Sequence, residues 1–343
     1  MRGTRARLGR LGLVVLCVGA LATTSETAGE PYAGKTVRIV VGYPPGGGFD
    51  TYARLLARHL PQHIPGKPAV VVENMAGAAS LIAANYSYRV ARPDGLTIAA
   101  FHGNQVLGQV LGRAGVEFDA RRFAWLGAPL REVTVCTIAR RRGISGVGPW
   151  QASSTPVRLG STGVGGATHD AARLLQATLG LPIHLVRGYR GTAEIRLAIE
   201  SGEVDGFCSL WDSLKTVWPD GLESGAAVAV IQGGARPLPG LPGVPVAVEL
   251  ARTEEARQLI RAGLILPGTL ARGYAVPPDT PPDIVRLLRA ALQETLQAPE
   301  FLADARRANL EVDPVSGEQL EQVIAELFGL NGTVVSKLRE LLQ

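Results

Sequence analysis

Two glycine clusters carry the clearest chemical signal in this 343-residue chain: Gly46-Gly47-Gly48 and Gly163-Val164-Gly165-Gly166. Each stands between an apolar run and the start of a helix-like segment, which is where an open α/β sheet places its ligand crevice. Glycine lets a ligand approach the backbone, and the first amides of the following helix offer N–H donors to an anion. Pro44 and Pro45 stiffen the first loop. In the second, Ser161, Thr162 and Thr168 add hydroxyls, and Thr168 is placed to cap its helix. Charge-assisted hydrogen bonds contribute about 1.5–3 kcal/mol each, so four or five approach the roughly 8 kcal/mol of micromolar binding without an arginine. The chemistry this pattern predicts is reversible capture of a carboxylate.

Catalytic constellations are hard to assemble. The chain has no Gly-x-Ser-x-Gly elbow and no His-Glu-x-x-His helix. His59 and His63 have metal-ligand spacing, but Pro61 breaks the helix between them, so they read as surface histidines. His169, beside the second glycine cluster, either lines the site or braces the loop. Asp205, at a strand mouth, fits a base, a loop anchor or a ligand contact. Gly29 to Thr36 satisfies the letters of a phosphate-binding P-loop, with Lys35 as its lysine. A P-loop must follow a strand and open a helix, whereas here the strand comes afterwards. No cofactor and no metal are expected, and the chain is read as a binding protein, not an enzyme.

The elements that must position these loops alternate. Val37 to Val41 is a β-branched run of the kind buried on both faces, followed by the first loop and a helix from Asp50, its expected N-cap, to Leu60. Strands over Ala69–Val72 and Leu96–Ala100 and helices over Ser80–Arg89 and Gln105–Leu111 continue the series. A second, similar series has strands at Val133–Ala139, Val157–Leu159, Ile183–Val186, Asp205–Ser209 and Ala226–Ile231. Its helices fall at Thr168–Leu179 and Thr192–Glu200, and Gly143–Thr155 reads as an exposed loop. Such alternation predicts parallel sheets covered by helices. Pro237–Pro245 reads as a crossover, and helices follow at Pro282–Leu296, Pro299–Ala308 and Ser316–Leu342.

Four arginines precede an apolar run from Leu11 to Ala22 that is too short to span a bilayer. That layout predicts a signal peptide over residues 1–22, cleaved after the Ala20-Leu21-Ala22 pattern, and a periplasmic mature protein. Its removal takes 35 basic residues to 31 against 30 acids, so the net charge falls from +5 to +1. A nearly neutral chain with few aromatics gives no reason to expect nucleic acid. Cys136 and Cys208 survive processing. They pair in an oxidising compartment or stay as buried thiols, and both readings are open.

The loops resemble a known family. Gly42-Tyr43-Pro44-Pro45-Gly46-Gly47-Gly48-Phe49-Asp50, Val71-Val72-Glu73-Asn74 and Arg92-Pro93-Asp94-Gly95 are similar to segments of the Bug receptors of tripartite tricarboxylate transporters. Phe118-Asp119, Gly163-Val164-Gly165 with His169, Tyr189-Arg190-Gly191-Thr192 and Gly202-Glu203-Val204-Asp205 continue the match in the same order. The resemblance implies an α/β, type II periplasmic-binding-protein-like fold of two lobes with a central cleft. We place lobe one at residues 31–129 plus 246–343 and lobe two at 130–245. It implies a small carboxylate as ligand, held by Tyr43, Pro45, Gly46, Gly47, Gly48, Phe49 and Asp50 in the first lobe. The second lobe contributes Ser161, Thr162, Gly163, Gly166, Thr168 and His169, with Tyr189, Asp205 and Ser209 bordering the cleft. It also implies membrane permease subunits as partner, with a sensor as the alternative where no permease serves, and the chain is read as a monomer. Phe49, Gly166 and Ser209 depart from the family's usual small, hydroxyl and acidic residues, so a less polar, bulkier or aromatic carboxylate and a tricarboxylate stand as equal readings.

Overall fold

The structure, a computed structural model, describes residues 30–342; the expected signal peptide lies outside them. Strands β1 (Thr36–Val41), β2 (Ala69–Asn74), β3 (Thr97–Ala100) and β4 (Ala124–Ala128) come first in the chain. They are followed by β5 (Thr134–Ala139), β6 (Val157–Ser161), β7 (Ile183–Arg187), β8 (Gly206–Leu210) and β9 (Ala227–Gln232). Last come β10 (Tyr274–Val276) and β11 (Val315–Ser316). They form a six-stranded sheet ordered β11-β4-β10-β3-β1-β2 and a five-stranded sheet ordered β7-β6-β8-β5-β9.

The likeness of the two halves takes a definite form in these orders. β1 lies between β2 and β3, parallel to both, and β6 lies between β7 and β8 in the same way. In each sheet the chain leaves the middle strand to one side and returns on the other. A glycine loop therefore follows each middle strand, at the point where the crossovers diverge and open a crevice.

The expectation of parallel sheets needs correction, because both are mixed. β10 runs antiparallel to β3 and β4, β11 antiparallel to β4, and β5 antiparallel to β8 and β9. Strands that enter a sheet from a distant part of the chain need no crossover helix and so escape the parallel rule. Gly143–Thr155 is also not all loop: Val147–Gln151 is helical, since Val147 and Trp150, three apart, put one face into the core, Trp150 wholly so. The expected helix Ser316–Leu342 is two helices, Gly317–Phe328 and Gly332–Leu342. The first begins with a Ser316–Gln319 capping box, and the second is capped by Asn331, whose Oδ1 accepts Val334 N–H at 2.9 Å.

Apolar side chains on β1 and on the helix Gly48–His59, including Val37, Ile39, Tyr52, Leu55 and Leu56, are buried with Leu288, Leu292 and Phe301 of the C-terminal helices. A larger cluster runs from Phe101 and Trp125 to Leu159, Leu174 and Leu175, so the packing under the second glycine loop is continuous with that of the first sheet. Cys136 and Cys208 face each other across β5 and β8 and form a disulfide, which settles the question the sequence left open. Among the described residues no helix is long and apolar enough to cross a membrane.

Candidate ligand-binding cleft

Three helix N-termini converge on one cleft of about 500 Å³. The helix Gly48–His59 is capped by Gly47, Ala167–Leu179 by Gly166, and Thr192–Glu200 by Gly191. Their first turns carry backbone N–H groups with no intrahelical partner, and the summed peptide dipoles favour negative charge there. Gly47, Gly48, Ala167, Thr168, Gly191, Thr192 and Ala193 all line the space. Hydroxyls come from Thr162, Thr168, Thr192 and Ser213, and apolar walls from Tyr43, Phe49, Leu197 and Leu210. Among the described residues the lining holds one cation and one anion. Arg190 and Glu194 are paired with each other, the Glu194 carboxylate accepting Arg190 N–H at 2.7 Å with the guanidinium at 3.6 Å.

Bracing of the first loop falls to Asp50. It is not the N-cap, a position taken by Gly47, but the third helical residue. Its carboxylate turns back to accept Gly46 N–H at 3.0 Å, Asn74 Nδ2 at 2.9 Å and Arg54 Nε at 2.8 Å. Burial works to raise its pKa, but Arg54, Gly46 and Asn74 outweigh that and hold the carboxyl below its usual range. Gly48 has a packing reason to be glycine: a Cβ there would stand 2.5 Å from Ser213 Oγ and 2.8 Å from Arg272 Nη2. Arg272 is buried beneath the loop, paired with Glu132, and lies 4.9 Å from the Phe49 ring centroid. Burial pushes the Glu132 carboxyl up to about 7 despite that partner.

The second loop is tied down differently. Gly166, not Thr168, is the N-cap, and a Cβ on Gly166 would stand 2.4 Å from Thr162 Oγ1. Thr168 Oγ1 instead accepts Thr162 N–H at 2.9 Å, and Ser161 Oγ accepts Gly163 N–H at 3.1 Å. The brace is Asp170, fully buried, which accepts Gly165 N–H at 2.9 Å and Asn104 Nδ2 at 3.0 Å and sits 3.4 Å from Arg113 Nη2. His169 Nδ1 lies 3.0 Å from the same carboxylate. Burial again works upward on its pKa, and His169, Arg113 and Gly165 together hold it down.

Of the residues the sequence singled out, Tyr43, Pro45, Gly47, Gly48, Phe49, Thr162 and Thr168 meet at the cleft. Tyr189 lines an adjoining space of about 280 Å³ that shares Tyr43, Thr162 and Arg190, and its hydroxyl donates to Glu203 at 2.6 Å. Gly46, Asp50, Ser161, Gly163, Gly166 and His169 shape the loops without lining the cleft. Ser209 lies buried within β8, opposite Val135 of β5. Asp205 does not border the cleft: it precedes β8, at the end of that strand away from the glycine loops, where Arg158 and Arg142 surround it. Parallel strands put their starts and their ends on opposite edges of a sheet, which separates Asp205 from Ser161.

The sequence reading missed Thr192, Ser213 and His102. Thr192 had a usable signal, since Gly191 precedes a helix start as the other loop glycines do. His102 stands two residues beyond β3, at the cleft end of a strand parallel to β1. Position was its only signal.

A curated relative from Bordetella pertussis, a UPF0065 protein, is 23% identical over 94% of this chain and 96% of its own. The solved structure of the periplasmic binding protein BugD superposes with a TM-score of 0.70 at 23% identity, covering 90% of this chain and 97% of that one. MatC from Rhodopseudomonas palustris with bound malate superposes equally, with a TM-score of 0.70 at 21% identity over 90% and 99% of the two chains. The sequence profile described as the tripartite tricarboxylate transporter family receptor matches residues 150–339, more than half of the chain. Fold, paired glycine loops and matched profile agree, and the chain belongs to the receptor family of the tripartite tricarboxylate transporters.

Proposed function

We propose that the chain captures a small carboxylate in the cleft, outside the cytoplasmic membrane, releases it unchanged and delivers it to a permease of the tripartite tricarboxylate type. The observation that carries this reading is the convergence of three helix N-termini on a space where, among the described residues, the charged lining side chains are already paired. Neutral donors of that kind suit one or two carboxylates. Three charges would have to be desolvated without a free countercharge, at a cost of several kcal/mol per ion. MatC, of the same fold, holds malate, which supports the class of ligand. A monocarboxylate or dicarboxylate with an apolar body fits walls that include Tyr43, Phe49 and Leu210.

The test is calorimetry on the mature chain with carboxylates and their neutral amides. Acids are expected to bind and amides to fail, because an ionised oxygen makes the stronger hydrogen bonds. Gly47→Val is expected to weaken binding at least tenfold with little loss of stability. Its backbone is extended at φ −95°, and an added Cβ there meets nothing closer than Thr192 Oγ1 at 3.7 Å. Equal binding of acids and amides would refute the proposal.

A further inference from the structure

The cleft contains one buried group with nothing to bond among the described residues. His102 lines the space and is 2% exposed, with its ring centroid 5.7 Å from that of Phe49. Its backbone N–H donates to Ser80 Oγ at 3.0 Å, and its Nδ1 lies 3.0 Å from the backbone nitrogen of Asn104. A backbone N–H can only donate, so Nδ1 presents its lone pair and the ring proton belongs to Nε2. That Nε2 is buried and has no hydrogen-bond partner among the described residues. Asp170, whose charge acts on the ring, does not take it: both of its oxygens are occupied by Gly165, Asn104, His169 and Arg113.

We propose that His102 is a specificity-determining ligand contact, its neutral Nε2–H donating to a carboxylate oxygen of the captured molecule. The inference rests on the carboxylate reading of the cleft and adds to it a side-chain donor beside the backbone donors of the glycine loops. Leaving a buried donor unmade is unfavourable, and a ligand oxygen removes that penalty. The ring acts without a positive charge. Burial lowers its pKa to about 4, against the upward pull of Asp170, and Arg272 lowers it further. A cationic histidine would lose affinity as pH rises through about 6.5, whereas this donor is expected to serve equally from about pH 5.5 to 8.

Two substitutions separate the donor from the packing. In His102→Asn the side-chain oxygen takes the place of Nδ1 and still accepts from Asn104, but the shorter amide places no N–H at the Nε2 position. His102→Gln places an amide N–H near the Nε2 position and forfeits the acceptor. Binding is measured by calorimetry with malate, adipate and benzoate, and stability by thermal melting. For whichever of the three acids binds the wild type most tightly, His102→Asn is expected to lose about tenfold in affinity, equivalent to about 1.4 kcal/mol. His102→Gln is expected to stay within about threefold while melting lower than His102→Asn. Affinity that follows stability in both variants, or is unchanged in His102→Asn, overturns the donor role while the carboxylate reading stands. Failure of all three acids to bind the wild type overturns both.

Discussion

The two glycine loops meet the same requirement with different wiring. Each is held by an aspartate in the first turn of the helix that follows, Asp50 or Asp170, which reaches back to a loop N–H. Asp50 draws its other partners from its own helix and from β2, and Arg54 is half exposed to water. Asp170 draws Asn104 and Arg113 from the region after β3, with no solvent at any of the three side chains beyond a trace. Gln105 adds a second tie, from its Nε2 to Gly165 O at 3.2 Å. The first loop is thus a local device, and the second is fastened to the other half of the molecule. Equal sequence patterns do not imply equal dependence on the rest of the fold.

Removing the braces breaks the comparison most directly. Asp170→Ala leaves Arg113 and the Gly165 N–H buried without their partner and is expected to destabilise by about 3–5 kcal/mol in urea unfolding. Asp50→Ala, whose partners can turn to water, is expected to cost about 1.5 kcal/mol. Similar losses at the two sites would abolish the distinction.

Acid titration of stability comes next. His102 ionises at about 4 in the native chain against about 6.5 unfolded, so the unfolded chain binds the extra proton between those values. Stability is therefore fully present above about pH 6.5 and falls by up to about 3 kcal/mol as pH drops to about 4. Asp50 and Asp170, both held below the usual carboxylate range, add a further loss as pH falls through their native values. His102→Asn should flatten the upper window and leave the lower one in place, read from urea midpoints at about pH 7, 5 and 3.

Alanine in place of a glycine sharpens the contrast. Gly46 and Gly165 have nearly the same backbone, at φ +83° and +86°. A Cβ on Gly46 meets nothing within 4 Å, while one on Gly165 would stand 2.4 Å from Arg113 Nη1. Gly46→Ala is expected to cost about 1 kcal/mol for its left-handed backbone alone, and Gly165→Ala about twice that. An effect as small as that at Gly46 is expected at Thr168. Thr168→Val deletes the acceptor of Thr162 N–H for about 1 kcal/mol of stability, with a larger fractional loss of carboxylate affinity in calorimetry.

What could be read from the residues follows physical range. β1 was legible because a run of β-branched residues has few homes other than a doubly covered strand, and the glycine loops because their composition is unusual. β4, Ala-Trp-Leu-Gly-Ala, and β10, Tyr-Ala-Val, carry no such signature and become strands only through partners far along the chain. The same limit applied at the site. Asp50 and Thr168 were expected as caps, yet glycine holds both positions because it can cap without a side chain. His102 escaped notice because nothing beside it in sequence reveals that its second nitrogen lacks a partner.

The bond between Cys136 and Cys208 joins positions 72 residues apart and encloses β6, β7, the helix Ala167–Leu179 and all of the second glycine loop. A closure of that length removes unfolded-chain freedom worth roughly 4 kcal/mol. The gain exists only where thiols oxidise, so the compartment in which the chain folds becomes an ingredient of its stability. Both cysteines are also sealed from solvent, at 1% and 0% exposure. A reductant reaches them only when the second sheet opens, and the redox state of the pair keeps a record of where the protein was folded.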